Sequence, residues 1–230
     1  MALLGLQVAK EEIVKQNLAY LVEGNYDVTA MYESSFPNTV APCGTAFTNL
    51  QAKLLKKYCD TVCIIGDGDN AGVTASKKAV LVLLKEGFVV MINHLPEGED
   101  PDSFCKTKDM QAQIKEKTED AVLYMAREFW KGAVHVSQKT KALTHTAEMR
   151  AKIDNEDLRS GYVDEIAKAH KLKLPKINGA IKKVLNLTQV VDSKERTIVI
   201  PKGGKMEDYE HYGFCEVEKG NNTGYHFTKD

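Results

Sequence analysis

The chain predicts an α/β fold: a four-stranded parallel sheet with flanking helices, followed by a small helical bundle and a short β-like tail. Three observations carry this. Helix-like and strand-like runs alternate from residue 6 to residue 92, the pattern of a sheet sandwiched by helices. Two strand-like runs, Leu21-Val22-Glu23-Gly24 and Ile64-Ile65-Gly66-Asp67-Gly68-Asp69, end abruptly in carboxylates and glycine. From Met110 almost to Leu187 the pattern is helical.

The elements follow in order. Residues 6–17 form an amphipathic helix, with Val8, Ile13 and Val14 apolar and Lys10, Glu11, Glu12 and Lys15 outside. Leu18 to Val22 is a buried strand. A short helix covers Asp27 to Ser35, Phe36-Pro37-Asn38 breaks it, and Thr39-Val40-Ala41 is the second strand. Gly44-Thr45-Ala46 is a turn of small residues. Thr48, with Gln51 three positions on, makes a capping box for a helix to about Tyr58. Thr61 to Ile65 is the third strand. Ala71 to Glu86 is a helix stopped by Gly87. Phe88 to Ile92 is the fourth strand. Pro96-Glu97-Gly98-Glu99-Asp100-Pro101-Asp102 is an acidic loop, too rich in proline to continue a strand. The helical stretch breaks near Gly132, Asp154 to Asp157 and Lys171 to Pro175. In the tail, Thr197 to Ile200 is strand-like, and Gly213 to Val217 with Tyr225 to Thr228 makes a hairpin. Three parts are expected: a domain over residues 1–110, a helical subdomain over 111–190, and a tail over 191–230 that either packs on the bundle or begins a further domain.

With 43% hydrophobic and 27% charged residues the composition is that of an ordinary soluble protein. No apolar run approaches a membrane span, and Met1-Ala2-Leu3-Leu4-Gly5 is a poor secretion signal. A cytoplasmic location without a membrane partner is the default. The five cysteines, Cys43, Cys59, Cys63, Cys105 and Cys215, are odd in number and scattered, which argues for buried free thiols and against a disulfide framework. They also lack zinc spacing. Residues 1–130 carry an excess of acid and residues 131–190 an excess of base, an arrangement that suits a metal site beside a phosphate-binding surface.

Acids crowded at the ends of buried strands are costly unless something neutralises them. Hard divalent cations prefer carboxylate oxygens. Glu23 follows the first strand, and Asp67 and Asp69 follow the third. Ligands of open parallel sheets bind outside the carboxyl ends of the strands. If the first and third strands are neighbours, the three carboxylates converge on one cation. Self-repulsion then raises the pKa of at least one of them. Gly66 and Gly68 leave room for close backbone approach, and Asp69 also suits the cap of the next helix.

Val22-Glu23-Gly24 with Asp27, and Asp67-Gly68-Asp69 with Ala71-Gly72, resemble the two signature motifs of the Toprim domain, a Rossmann-like fold. Gly44-Thr45 and the acidic loop at 96–102 are similar to segments of the bacterial DnaG-type primases. The resemblance covers about residues 5 to 108, and more loosely the helices to 187. It implies a nucleotidyltransferase, a DNA primase, that makes RNA primers on a single-stranded DNA template from ribonucleoside triphosphates. It implies Glu23, Asp67 and Asp69 as catalytic residues and ligands of Mg2+ or Mn2+, with no zinc. Asp27, Asp100 and Asp102 would extend the metal site, and Gly24, Gly44 and Thr45 would line the nucleotide. The zinc module and basic subdomain of full primases are not found in this sequence, so a fragment, or a form that depends on partners such as a replicative helicase, is expected.

Two other classes stay open. A Toprim nuclease needs only the acid cluster and water. A non-catalytic DNA-binding or helicase-binding module would use Lys168, Lys171, Lys173, Lys176, Lys182 and Lys183 as its footprint. A topoisomerase would need a tyrosine nucleophile, and Tyr124, Tyr162, Tyr209 and Tyr212 lack a supporting scaffold. His135, His145 and His170 have no metal spacing, Trp130 beside Phe129 reads as bundle core, and Cys105 lies near the acidic loop.

Overall fold

The computed structural model describes residues 2–42, 44, 46–153, 156–173, 175, 177–182, 216–219 and 225–228. Residues 1–181 pack as one compact unit. Its elements are β1 (Leu3–Leu4), α1 (Leu6–Gln16), β2 (Leu18–Leu21), α2 (Asn25–Glu33), β3 (Thr39–Pro42), α3 (Asn49–Leu55), β4 (Thr61–Gly66), α4 (Asn70–Lys85), β5 (Val89–His94), α5 (Pro101–Thr107), α6 (Met110–Lys117), β6 (Glu119–Asp120), α7 (Ala121–Trp130), α8 (Val136–Ala151) and α9 (Glu156–Ala169). The sheet order is β1-β3-β2-β4-β5-β6. The inner four strands are parallel, as the alternation predicts.

The sheet is wider than four strands. β1 and β6 each add two residues antiparallel at the edges. Both are too short to show a period in the sequence. β6 also interrupts the stretch read as continuous helix, because Asp120 turns its side chain to accept the N–H groups of Val122 and Leu123 and starts α7. The acidic loop ends sooner than expected for the same reason. Asp100 caps α5, accepting from the Ser103 N–H at 2.7 Å, and Pro101 takes the first helical position, where no N–H is needed. The Thr48–Gln51 capping box forms as expected.

Strand alternation sends side chains to two cores. Val62 and Ile64 of β4 face Ile13 of α1, Leu55 of α3, Val80 and Leu83 of α4 and Met125 of α7. Cys63 and Ile65 face Met31 of α2, Phe104 of α5 and Met110 of α6. The first core continues into the helical region through Met149, Ile153 and Ile166. Tyr162 of α9 ties that region back to β6, donating its hydroxyl to Asp120 Oδ2 at 2.6 Å.

In residues 182–230, β7 (Glu216–Lys219) and β8 (Tyr225–Thr228) form an antiparallel pair, with Glu216 opposite Thr228. The strand expected at 197–200 lies outside the described residues. Among the described residues no helix is long and apolar enough to cross a membrane.

Candidate active site at the strand ends

β3 lies on one side of β2 and β4 on the other, so β2 and β4 flank the point where the winding of the sheet reverses. The first and third of the predicted strands are therefore neighbours. Leu21 pairs with Ile64. Glu23 stands two residues past the first and Asp67 three past the second, so both acids leave adjacent strand ends.

Glycines let other chain segments close in on these turns. A Cβ on Gly68 would stand 1.8 Å from the carbonyl oxygen of Pro96. The Gly68 N–H also donates to the Glu99 carbonyl at 2.9 Å, so the acidic loop lies directly on the Asp67-Gly68-Asp69 turn. A Cβ on Gly72 would stand 2.8 Å from that of Asp67, which packs the start of α4 against the aspartate.

The six candidate acids divide by what their oxygens do. Asp27 is 7% exposed. Its Oδ2 accepts the Gly24 N–H at 2.7 Å and its Oδ1 the Asp102 N–H at 3.3 Å. Asp69 caps α4, accepting from Gly72 at 2.6 Å, as its position suggests. Asp100 caps α5, and Asp102 pairs with Lys106 at 2.6 Å. Glu23 Oε1 and Asp67 Oδ1 are buried and have no hydrogen-bond partner.

Burial and mutual repulsion act on the inner acids. Burial, then the other carboxylates, push Asp67 up to about 7; those neighbours are Glu23, Asp27, Asp100 and Asp69. Burial first, then Asp69 and Asp27, raise Glu23. Asp27 is raised by burial despite the N–H groups that favour its charged form.

Among the described residues no three His, Cys, Asp or Glu side chains stand close enough to enclose an ion. Three of the six acids are held by a helix cap or an ammonium, and bare carboxylates repel one another. The two orphaned oxygens nevertheless fit a hard divalent cation. They are carboxylate oxygens at neighbouring strand ends, they lack donors, and their own field disfavours charge without one.

Residues 20–105 match the Toprim-like family. The chain is 47% identical over 104 residues to a DNA primase of Aquifex aeolicus, covering 45% of this chain and 21% of that one. It is 31% identical over 191 residues to a DNA primase of Listeria monocytogenes, covering 83% of this chain and 28% of the relative. Residues 20–105 are a Toprim domain of the bacterial DNA primase kind. The Toprim domain and its helices also superpose on a DNA primase domain from Pseudomonas aeruginosa with a TM-score of 0.71 at 26% identity, covering 79% of this chain and 59% of that one. The chain thus spans about a fifth to three fifths of the length of these relatives.

Beside the Toprim acids lies a cavity of about 630 Å³, walled by Leu21, Val22, Glu23, Gly44, Phe47 and Thr74 among others. Of the expected nucleotide contacts, Gly44 lines this cavity, the Gly24 N–H is already taken by Asp27, and Thr45 lies outside the described residues. Lys168, Lys171 and Lys173 are exposed at the end of α9 and just beyond it, and Lys182 is exposed in the other unit. Lys176 and Lys183 lie outside the described residues.

Cys59 and Cys63 are buried free thiols. Cys105 is no activated nucleophile, because burial pushes its thiol up. Cys43 and Cys215 lie outside the described residues. Trp130 is half-buried, donating Nε1–H to Thr146 at 3.2 Å and stacking on His170 with ring centroids 5.3 Å apart.

The sequence reading missed three residues at the strand ends. Lys106 and Lys108 neutralise Asp102 and Glu99. The spacing of Asp102 and Lys106 is a helix pair, visible only once α5 is known to begin at Pro101. His94 is the third. It ends β5 beside Gly66, packs on Tyr124 with centroids 5.0 Å apart, and has no partner at either ring nitrogen. Burial, then Lys77, lower its pKa.

Proposed function

We propose that this chain carries out primase chemistry: metal-dependent joining of ribonucleoside triphosphates into an RNA primer on single-stranded DNA. The observation that carries the reading is the pair of buried, unpartnered oxygens, Glu23 Oε1 and Asp67 Oδ1, at adjacent strand ends of a Toprim domain. Glu23, Asp67 and Asp69 would hold the first Mg2+ or Mn2+, with Asp100 and Asp102 reaching toward a second. When bound, such ions promote ionisation of the attacking 3′-hydroxyl and neutralise the triphosphate.

The residues have separate tasks. Glu23 and Asp67 supply oxygens whose charged form burial and the neighbouring carboxylates disfavour and a cation would favour. Asp69 keeps one oxygen on the Gly72 N–H, which fixes its rotamer. Asp27, with both oxygens on backbone N–H groups, holds Gly24 and the start of α5 in place. The cavity beside Glu23 leaves space for the nucleotide.

The test is incubation with labelled single-stranded DNA, ribonucleoside triphosphates and Mn2+. Primer growth that Asp67→Ala abolishes is the expected result. Fragments of the DNA without growth would point to a Toprim nuclease. Salt-sensitive DNA binding without any turnover would point to a binding module. Unchanged synthesis in Asp67→Ala would overturn the assignment of the site.

A further inference from the structure

The acids around the strand ends fall into two electrostatic classes. Glu23, Asp27 and Asp67 have no ion pair among the described contacts, and each is raised by burial. The outer acids have ammonium partners from their own chain. Glu99 pairs with Lys108, and Asp102 pairs with Lys106 at 2.6 Å.

These two lysines are not equivalent. Glu99 also accepts the Ser103 hydroxyl at 2.8 Å, and its carbonyl receives the Gly68 N–H. The Lys108 ammonium lies 5.2 Å from the centre of the Phe104 ring. Lys108 therefore braces a loop that is fixed from several sides. Lys106 is 66% exposed on its side chain, and its hydrogen bond goes to Asp102 Oδ2. It sits one helical turn after Asp102 on α5, the spacing at which side chains meet on one face. Asp100 and Glu33 add to the negative field around it. Asp102 in turn is set against the inner acids, because its backbone N–H donates to Asp27. The Asp102 carboxylate thus stands at the edge of the acid site with an exposed, exchangeable ammonium on one oxygen.

We propose that Lys106 is a built-in counter-ion that competes with a divalent cation for Asp102. In the ion-free protein it neutralises the outer half of the acid site. An ion reaching Asp102 competes with that ammonium for the carboxylate's charge, whereas an ion reaching Glu23 and Asp67 meets no protein cation among the described ion pairs. Ion uptake is then ordered: the inner position fills first, and the outer one is weakened by the lysine. A polyphosphate is a strong alternative partner for the freed ammonium, so nucleotide and outer ion favour each other's binding. Lys106 is here a positioning residue. The inference rests on the reading of the acids as ion ligands.

Isothermal titration calorimetry with Mn2+ alone tests it without any turnover. Lys106→Gln should tighten the weaker, Asp102-dependent uptake roughly two- to fivefold, the scale of losing one exposed ion pair. Lys106→Arg should behave as the parent chain does. In an Asp102→Asn background, Lys106→Gln should change nothing. Outer uptake that is unchanged or weaker in Lys106→Gln, or a gain that persists without the Asp102 carboxylate, overturns the proposal while leaving the acid site intact. If the parent chain takes up no Mn2+, the reading of the acids fails and this inference with it. The exposure of Lys106 spares the fold, which melting in chelator checks directly.

Discussion

The backbone N–H of Asp102 donates to the carboxylate of Asp27 across a separation of 75 residues. The other oxygen of that carboxylate holds the Gly24 N–H at 2.7 Å. One side chain, 7% exposed, therefore latches α2, the Glu23-Gly24 turn and α5 together. Asp27→Ala removes the acceptor of both N–H groups. Each hydrogen bond to a charged acceptor contributes about 1.5–3 kcal/mol, and relief of the buried charge offsets part of that. The expected melting temperature in chelator falls by roughly 5–10 °C. A variant that melts with the parent would show that the latch contributes nothing.

Asp67 gives a pH signature of the opposite sign. Its folded pKa, about 7, lies above the ordinary value of 3.8, so the folded state binds the extra proton. Stability from this group is fully present below pH 4 and is lost as pH rises through about 7. Asp67→Asn has no proton to lose. At pH 8 without metal it should melt roughly 2–4 °C above the parent, after discounting for solvent screening, and the gap should close toward pH 4. Primer synthesis should be absent at every pH. Melting profiles that stay parallel across this range would show that Asp67 is not held under repulsion.

The inner four strands and the strand-end acids were legible because both are local signals. The apolar run that stops at Asp67-Gly68-Asp69 marks the end of β4. What each carboxylate does there was not legible, because that depends on partners far along the chain. Nothing near Asp27 in sequence shows that Asp102 donates to it. Lys106 escaped notice for a related reason: with residues 96–102 read wholly as loop, its helical spacing from Asp102 carried no meaning. β1 and β6 were missed since two residues cannot display a period of two.

Gly68 tests whether the acidic loop must rest on the Asp67 turn. An added Cβ would lie 1.8 Å from the Pro96 carbonyl oxygen, a clash with backbone that no rotamer relieves. Gly68→Ala should cost about 2–3 kcal/mol and displace Glu99, whose carbonyl accepts the Gly68 N–H. Primer synthesis should fall at least tenfold even well below the melting point. Full activity there would mean that the loop position is irrelevant to the site.

Tyr162 separates stability from chemistry. Its hydroxyl reaches Asp120 Oδ2 at 2.6 Å, and Asp120 also caps α7. Tyr162→Phe should lose about 1–2 kcal/mol, or roughly 2–6 °C. Among the described hydrogen bonds and ion pairs neither residue joins Glu23, Asp67 or Asp69, so synthesis at low temperature should keep the parent rate. A rate loss without a melting shift would place Tyr162 in the chemistry after all.

The lysines at the end of α9 and just past it make the last test. Lys168, Lys171 and Lys173 are exposed and close in sequence, and Lys171 has a left-handed backbone with φ of 53°, which turns the chain as the helix ends. If the three contact template phosphates, each releases counter-ions on binding, and the slope of log affinity against log salt carries about 0.7 per contact for a single strand. Replacing all three with glutamine should reduce that slope by roughly 2 and weaken single-stranded DNA binding at low salt, equally for unrelated sequences. The Mn2+ titration should stay that of the parent, since none of the three lysines pairs with a strand-end acid among the described ion pairs. An unchanged slope would remove this surface from the template path and leave DNA contact to residues elsewhere.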